Sequence, residues 1–316
     1  MIEESSLYNV RTVTLSNESF AVRILPGKGG DINQIWWKPR EVSLLHVKEE
    51  NFCRFQDRNL YVSPLKHYSE DDTGGWQDVI PGFGRYGDLA IEEAPLGIAA
   101  TVGWQVSFGR EDGEDIVILS TDLPVFPLRL EKRIWLDQRG INLEETVSNT
   151  GNDEADVTWT QHAMFGGDFL DENVEISYPS GEVLLSALWA RQGGPMERFV
   201  HEVGRVPMPD GQRCDLRRMR ERREDGILVF TMKAGEGSCG LYNRHKNIGL
   251  RMLWDREMYP YLRCCYQNTG NAYAMGIEPC NYYYSAFAET DRDRMYLHLG
   301  SKEMRRTKLR LELFER

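Results

Sequence analysis

Ile141-Asn142-Leu143-Glu144-Glu145-Thr146-Val147-Ser148 is the stretch on which the reading of the fold turns. Successive side chains of an extended chain point to opposite faces, so Ile141, Leu143, Glu145 and Val147 share one face and Asn142, Glu144, Thr146 and Ser148 the other. Mostly apolar groups against wholly polar ones describe a strand with one buried and one wet side, as in an antiparallel sheet. Working outward, Ile98 to Phe108, Ile116 to Thr121, Leu128 to Leu136 and Asp156 to Phe165 read as strands. They are separated by Glu111-Asp112-Gly113, Asp137-Gln138-Arg139-Gly140 and Asn149-Thr150-Gly151-Asn152-Asp153, residues that favour tight turns. Toward the N-terminus, Leu25-Pro26-Gly27-Lys28-Gly29-Gly30-Asp31 turns the chain into Ile32-Asn33-Gln34-Ile35-Trp36-Trp37. A glycine-rich turn cradles phosphate when a helix follows it, and this following run has strand character. Toward the C-terminus strands resume from Ile227 to Lys233 and continue to Lys308–Phe314. Only Arg213 to Asp225, with Leu216 and Met219 three apart, predicts a short helix, and its arginines alternate with acids as on a solvated face. With no β-α-β alternation and no Pro/Ser-rich linker, the pattern predicts an all-β chain, one large antiparallel sandwich spanning residues 1–316 as a single domain.

Composition narrows the partners. Hydrophobic residues at 41% and charged residues at 28% of 316 residues supply core material for a globular fold. A net charge of −11 argues against nucleic acid or any polyanion and favours a small, neutral ligand. No apolar run approaches the about 18 residues a membrane helix needs, and the N-terminal Met1-Ile2-Glu3-Glu4 lacks a cationic export signal. A cytoplasmic location follows as the expectation. Six cysteines without a C-x-x-C pair read as reduced thiols, and six histidines without a close pair predict no metal site and no cofactor.

The chemistry concentrates in a few places. In Ala272-Tyr273-Ala274-Met275-Gly276-Ile277-Glu278-Pro279, alternation puts Ala272, Ala274, Gly276 and Glu278 on one face, so the carboxylate looks out over small side chains. Room beside an acid suits a ligand, although a salt-bridged strand-end glutamate reads the same way. In Asp156-Val157-Thr158-Trp159-Thr160-Gln161-His162, the histidine falls on the polar face just before Gly166-Gly167. Leu253-Trp254-Asp255 ends another strand in a carboxylate. The long segment 56–88 contains Gly74-Gly75-Trp76-Gln77 and Pro81-Gly82-Phe83-Gly84. Glycines there let the backbone approach a ligand, while Trp76 and Phe83 either offer flat faces to a sugar or anchor the loop to the core.

These motifs, in this order, resemble the aldose 1-epimerase (galactose mutarotase-like) superfamily. The resemblance rests on Pro26-Gly27-x-Gly29-Gly30-x-Ile32, Asn149-x-Gly151, His162 with Phe165 three later, Trp254-Asp255 and Ile277-Glu278-Pro279, over about residues 20 to 290. The run from Gly74-Gly75 to Pro81-x-Phe83-Gly84 is similar to a loop of the hexose-6-phosphate mutarotase branch. The resemblance implies a β-supersandwich fold, His162 as general acid, Glu278 as general base and Asp255 as a sugar-binding residue. It implies a substrate loop that includes Thr73, Trp76, Gln77 and Phe83. Two departures stand out: Met164 occupies the place of an aromatic residue, and Thr73 that of a His or Arg, for which His67 or Arg58 would substitute.

The residue types suit that chemistry on their own. Opening a cyclic hemiacetal takes a proton from O1 and gives one to the ring oxygen, which calls for one ionised and one protonated group at the same pH. The expected function is therefore a sugar mutarotase working without cofactor on a small carbohydrate, as a monomer or homodimer. The alternatives are a non-catalytic carbohydrate-binding sandwich, or a glycosidase or polysaccharide lyase on a similar fold. A glycosidase would need two facing carboxylates, for which Asp255 and Glu278 are the evident pair.

Overall fold

The computed structural model describes residues 1–52, 72–81, 85–86, 89–90, 97–124, 126–185, 201–207, 212–222, 226–282 and 296–316. The described chain is nearly all β, and its strand pairings are antiparallel. A 12-stranded sheet runs in the order Ile2–Leu7, Val10–Ser16, Phe20–Leu25, Asp31–Trp37, Trp76–Val79, Thr160–Phe165, Tyr273–Cys280, Tyr261–Asn268, Gly226–Lys233, Glu182–Leu185 and His201–Glu202, with Val42–Ser43 paired to Asp31–Trp37. An 8-stranded sheet runs Val174–Ser177, Ser238–Asn243, Ile248–Trp254, Met304–Glu315, Gly140–Asn149, Leu128–Leu136, Glu114–Asp122 and Gln105–Glu111. Apolar residues of both sheets form one continuous core.

The alternation over residues 141–148 holds except at Asn142: Ile141, Leu143, Glu145 and Val147 are buried and Glu144, Thr146 and Ser148 partly exposed, while Asn142 is buried, its side chain held by Asp137 and Arg310. Glu145 on the core face stands in register opposite Lys132 of the neighbouring strand, although burial and the nearby Asp78 push the Glu145 carboxyl well above the usual carboxylate range. Lys132 also pairs with Asp78 of the other sheet. Charges taken out of water need such partners. Gln161 closes the group, donating through Nε2 to Asp78 Oδ1 and Glu145 Oε2 at 2.7 Å each, with the Tyr259 hydroxyl 3.2 Å away, and accepting through Oε1 from Trp76 Nε1 at 2.8 Å. A polar layer thus ties the two sheets together through their otherwise apolar core.

Several predicted elements differ, among them the loop expected over 56–88, in which Trp76–Val79 is a strand of the 12-stranded sheet. Residues 213–222 form no helix: Arg213–Cys214 is a short strand, and the chain then runs beside Val174–Ser177, with Ile176 N–H donating to Arg217 C=O and Met219 N–H to Val174 C=O. Leu216 and Met219 are buried as their spacing suggested, but pairing with a sheet edge overrides the helical period. Within Ile98 to Phe108, a buried 3₁₀ turn at Ala99–Thr101 precedes the strand Gln105–Glu111, because this segment closes over the Pro26 turn through Trp104 N–H to Pro26 C=O. The strand expected from Asp156 to Phe165 is two, Ala155–Val157 and Thr160–Phe165. At the break, the Asn281 side chain donates to Val157 C=O and accepts from Trp159 N–H.

Candidate functional site

Gln161 faces the core, so its neighbour His162 must face away from it. His162 is opposite Gln77 of Trp76–Val79 in the ladder, and the pairs Thr160–Cys280 and Ala163–Ile277 place it beside Glu278 on the other flank. Glu278 is in turn opposite Arg263 of Tyr261–Asn268. Gln77, His162, Glu278 and Arg263 therefore form a row across four adjacent strands on one face of the sheet. Pro279, which has no N–H to give, stands where the ladder between the His162 and Glu278 strands is interrupted.

Within the row, His162 Nε2 lies 3.5 Å from Glu278 Oε1. The other carboxylate oxygen, Oε2, accepts a charge-assisted hydrogen bond from Arg263 Nε at 2.5 Å. Glu278 is almost fully buried, its side chain 1% exposed, and His162 is 16% exposed. Neither Glu278 Oε1 nor His162 Nδ1 has a hydrogen-bond partner among the described residues. A buried carboxylate oxygen left so is costly unless a ligand completes it. Burial lowers the His162 pKa, Glu278 pulls it up and Arg263 pushes it down, and the net result lies below the ordinary 6.5.

A second ion pair borders the row. Lys48 Nζ contacts Asp72 Oδ2 at 2.5 Å, while Gly74 N–H and Gln77 Nε2 donate to Asp72 Oδ1 at 2.9 and 3.0 Å. Gln77 Nε2 also reaches Asp31 Oδ2 at 3.1 Å, and Asp31 pairs with buried Lys28. Burial opposes ionisation of Asp72, but the charges of Lys48 and Lys28 and these hydrogen bonds outweigh it and hold the carboxyl well below its usual range. For Asp31 burial wins, and its pKa rises to about 6 despite Lys28. Gly74 and Gly75, at φ +69° and +92°, thread this segment past its neighbours, since a Cβ would lie 2.4 Å from His46 O and 2.5 Å from Ile32 O respectively. Among the described residues no three His, Cys, Asp or Glu side chains converge as a metal-ligand set.

The sequence candidates thus separate. His162, Glu278 and Gln77 come together. Thr73 is buried on the segment that leads to Gln77, its C=O accepting from Lys48 N–H at 3.0 Å. Trp76 lies on the core face, fully buried, where its indole donates to Gln161, so it anchors the strand and presents no flat face to a ligand. Asp255 is exposed at the end of Ile248–Trp254 in the other sheet, its carboxylate accepting from Glu257 N–H, and it contacts none of the row. His67, Arg58 and Phe83 lie outside the described residues. The open space anticipated over Ala274 and Gly276 is filled by Met164 and Cys265, which form a small apolar cluster with Ala274. Arg263, Lys48 and Asp72 were not singled out from the sequence. Arg263 could have been found by folding the hairpin back about Thr269-Gly270-Asn271-Ala272: Asn268 pairs with Tyr273, and five residues further along each arm stand Arg263 and Glu278.

The family model described as "Domain of unknown function (DUF4432)" matches residues 121–313, more than half of the chain. The chain belongs to the DUF4432 family. No curated protein matches this DUF4432 protein in sequence. Solved structures do match its fold: the Slr1438 protein of Synechocystis sp. PCC 6803 at TM-score 0.72 and 15% identity, covering 99% of each chain. A galactose mutarotase-like protein of Clostridium acetobutylicum matches at TM-score 0.71 and 14% identity, over 100% of this chain and 99% of that one. Another from Lactobacillus casei gives 0.64 and 14%, over 96% and 100%. At such identities the likeness is one of architecture, and the DUF4432 chain has the galactose mutarotase-like β-sandwich fold.

Proposed function

We propose that this protein is a sugar mutarotase, interconverting the anomers of an aldose or modified aldose with Glu278 as base and His162 as acid. The observation that carries the reading is the buried Glu278 Oε1, without a hydrogen-bond partner among the described residues and 3.5 Å from the His162 imidazole. In the forward step the ionised carboxylate takes the proton of O1–H, the His162 imidazolium gives one to the ring oxygen, the bond from C1 to the ring oxygen breaks and C1=O1 forms. After rotation about C1–C2 the same transfers run in reverse and close the ring on the other face, so atoms and charges balance without a cofactor. Lys48 and Asp72 at the border of the row, and Gln77 within it, supply donors and acceptors for sugar hydroxyls. The glycosidase reading is less well supported, because Asp255 follows the end of a strand of the 8-stranded sheet whereas Glu278 lies within the 12-stranded one.

The test is the approach of a freshly dissolved pure anomer to equilibrium, followed by polarimetry or by NMR exchange, across neutral, phosphorylated, acidic and deoxy aldoses. Faster mutarotation of at least one sugar is the expected result. Binding without acceleration across the whole panel would replace the enzyme with a carbohydrate-binding sandwich.

A further inference from the structure

The two oxygens of the Glu278 carboxylate are not equivalent. Oε2 is held by Arg263 Nε, and Oε1 is turned toward His162. Arg263 is itself 11% exposed, and its guanidinium keeps its proton at any working pH, so it never competes as acid or base. Its backbone is fixed opposite Glu278 in a continuous eight-residue ladder from Tyr261–Cys280 to Asn268–Tyr273, which leaves the pair little freedom. We propose that Arg263 is a positioning residue: by holding Oε2 it commits Glu278 Oε1 to proton transfer, and it places a permanent cation in the row, in direct contact with the base. This inference rests on the mutarotase reading.

The groups acting on His162 come from every side. Glu278 and Arg263 lie on the two strands of one flank, uncharged Gln77 on the other, and Lys48 and Asp72 on the bordering segment. Glu278 and Asp72 draw a proton onto His162, whereas Arg263 and Lys48 repel it. Lys48 and Asp72 stand as a close ion pair whose effects on His162 oppose each other. Arg263 differs from Lys48 in touching the base directly, so one change at position 263 alters both the aim of Glu278 and the charge felt by His162.

Two substitutions separate these effects. Arg263→Gln removes the cation, and the imidazole titration of His162, followed by nitrogen-15 NMR, should move up by about one pH unit. The alkaline limb of the anomer-exchange profile should move with it, and kcat should fall at least about tenfold. Arg263→Lys keeps the charge without the fixed Nε contact, so the midpoint should stay near wild type while kcat still drops. A merely structural arginine would lower the folded fraction and leave both midpoint and limb in place.

If Arg263→Gln does not fold, Glu278→Gln is compared with Glu278→Gln/Arg263→Met, which removes the buried pair together. The His162 midpoint should then be higher in the double variant than in the single one. An unmoved midpoint in either comparison overturns the proposal, as does a wild-type pH profile in Arg263→Gln. If the wild-type protein exchanges no anomer of any sugar, it is the mutarotase reading that fails, and the titration alone still decides whether Arg263 governs the charge on His162.

Discussion

At the scale of single residues, a carboxylate that is to take a proton must be ionised while the imidazole beside it is charged, and burial at position 162 works against that charge. Because the His162 pKa lies below 6.5, its protonated fraction grows as the pH falls through and below that value. The mutarotation rate should therefore rise as the pH drops from 8 toward 6, a trend that kcat measured across that range would check. Stability runs the other way. The unfolded chain binds the His162 proton at the ordinary value and the folded chain only lower, so this contribution is intact above 6.5 and declines as the pH falls through the window beneath it. Urea midpoints at pH 7.5 and 5.5 should diverge less in His162→Asn than in the wild type. Glu278→Gln keeps the shape and the hydrogen bond to Arg263 but cannot take the proton, and it should lose about a hundred- to ten-thousand-fold in kcat while sugar binding, followed by calorimetry, survives.

Among elements, the Glu278 strand depends on Gly276. A Cβ there would stand 2.5 Å from Glu278 Oε1, 2.9 Å from Met164 Sδ and 3.0 Å from Cys265 Cβ, the last of which belongs to a packed neighbour that cannot swing aside. Gly276→Ala should destabilise the fold by about 1–3 kcal/mol and displace the carboxylate, seen as a lower thermal midpoint together with reduced kcat. Much of this strand was legible in the sequence. Alternation along Ala272 to Glu278 gave the correct face for the acid, and the same reasoning gave the face of His162. What alternation cannot give is the neighbour across the ladder, since that depends on pairing between segments far apart in the chain. Gln77 and Trp76, adjacent in sequence, go to opposite faces because the segment read as loop is a strand, whereas Asp255, a plausible strand-end acid, was carried off by a strand of the other sheet. Arg263 was recoverable only because its partner lies in the same hairpin.

The scale of the whole molecule is that of the polar layer between the sheets. Lys132 stands between Asp78 and Glu145, and although burial favours the neutral amine, the two carboxylates raise its pKa and keep it charged. Lys132→Met would leave both acids facing each other without a cation, and it should destabilise the protein by about 3–5 kcal/mol in urea unfolding. Sequence patterning marked position 145 as inward-facing without hinting at a cation from the next strand and an acid from the opposite sheet. That arrangement also bears on how a nascent chain threads its strands. A slip of Thr160–Phe165 by one residue would turn Gln161 outward, stranding Asp78 and Glu145, and would drive His162 into the interior. Mis-threaded forms are thus penalised by a hydrogen-bonding group on the face of the strand opposite His162. Molecules that complete folding carry His162 beside Glu278 by necessity, so loss of activity through core substitutions should appear as fewer competent molecules, each turning over at the normal rate.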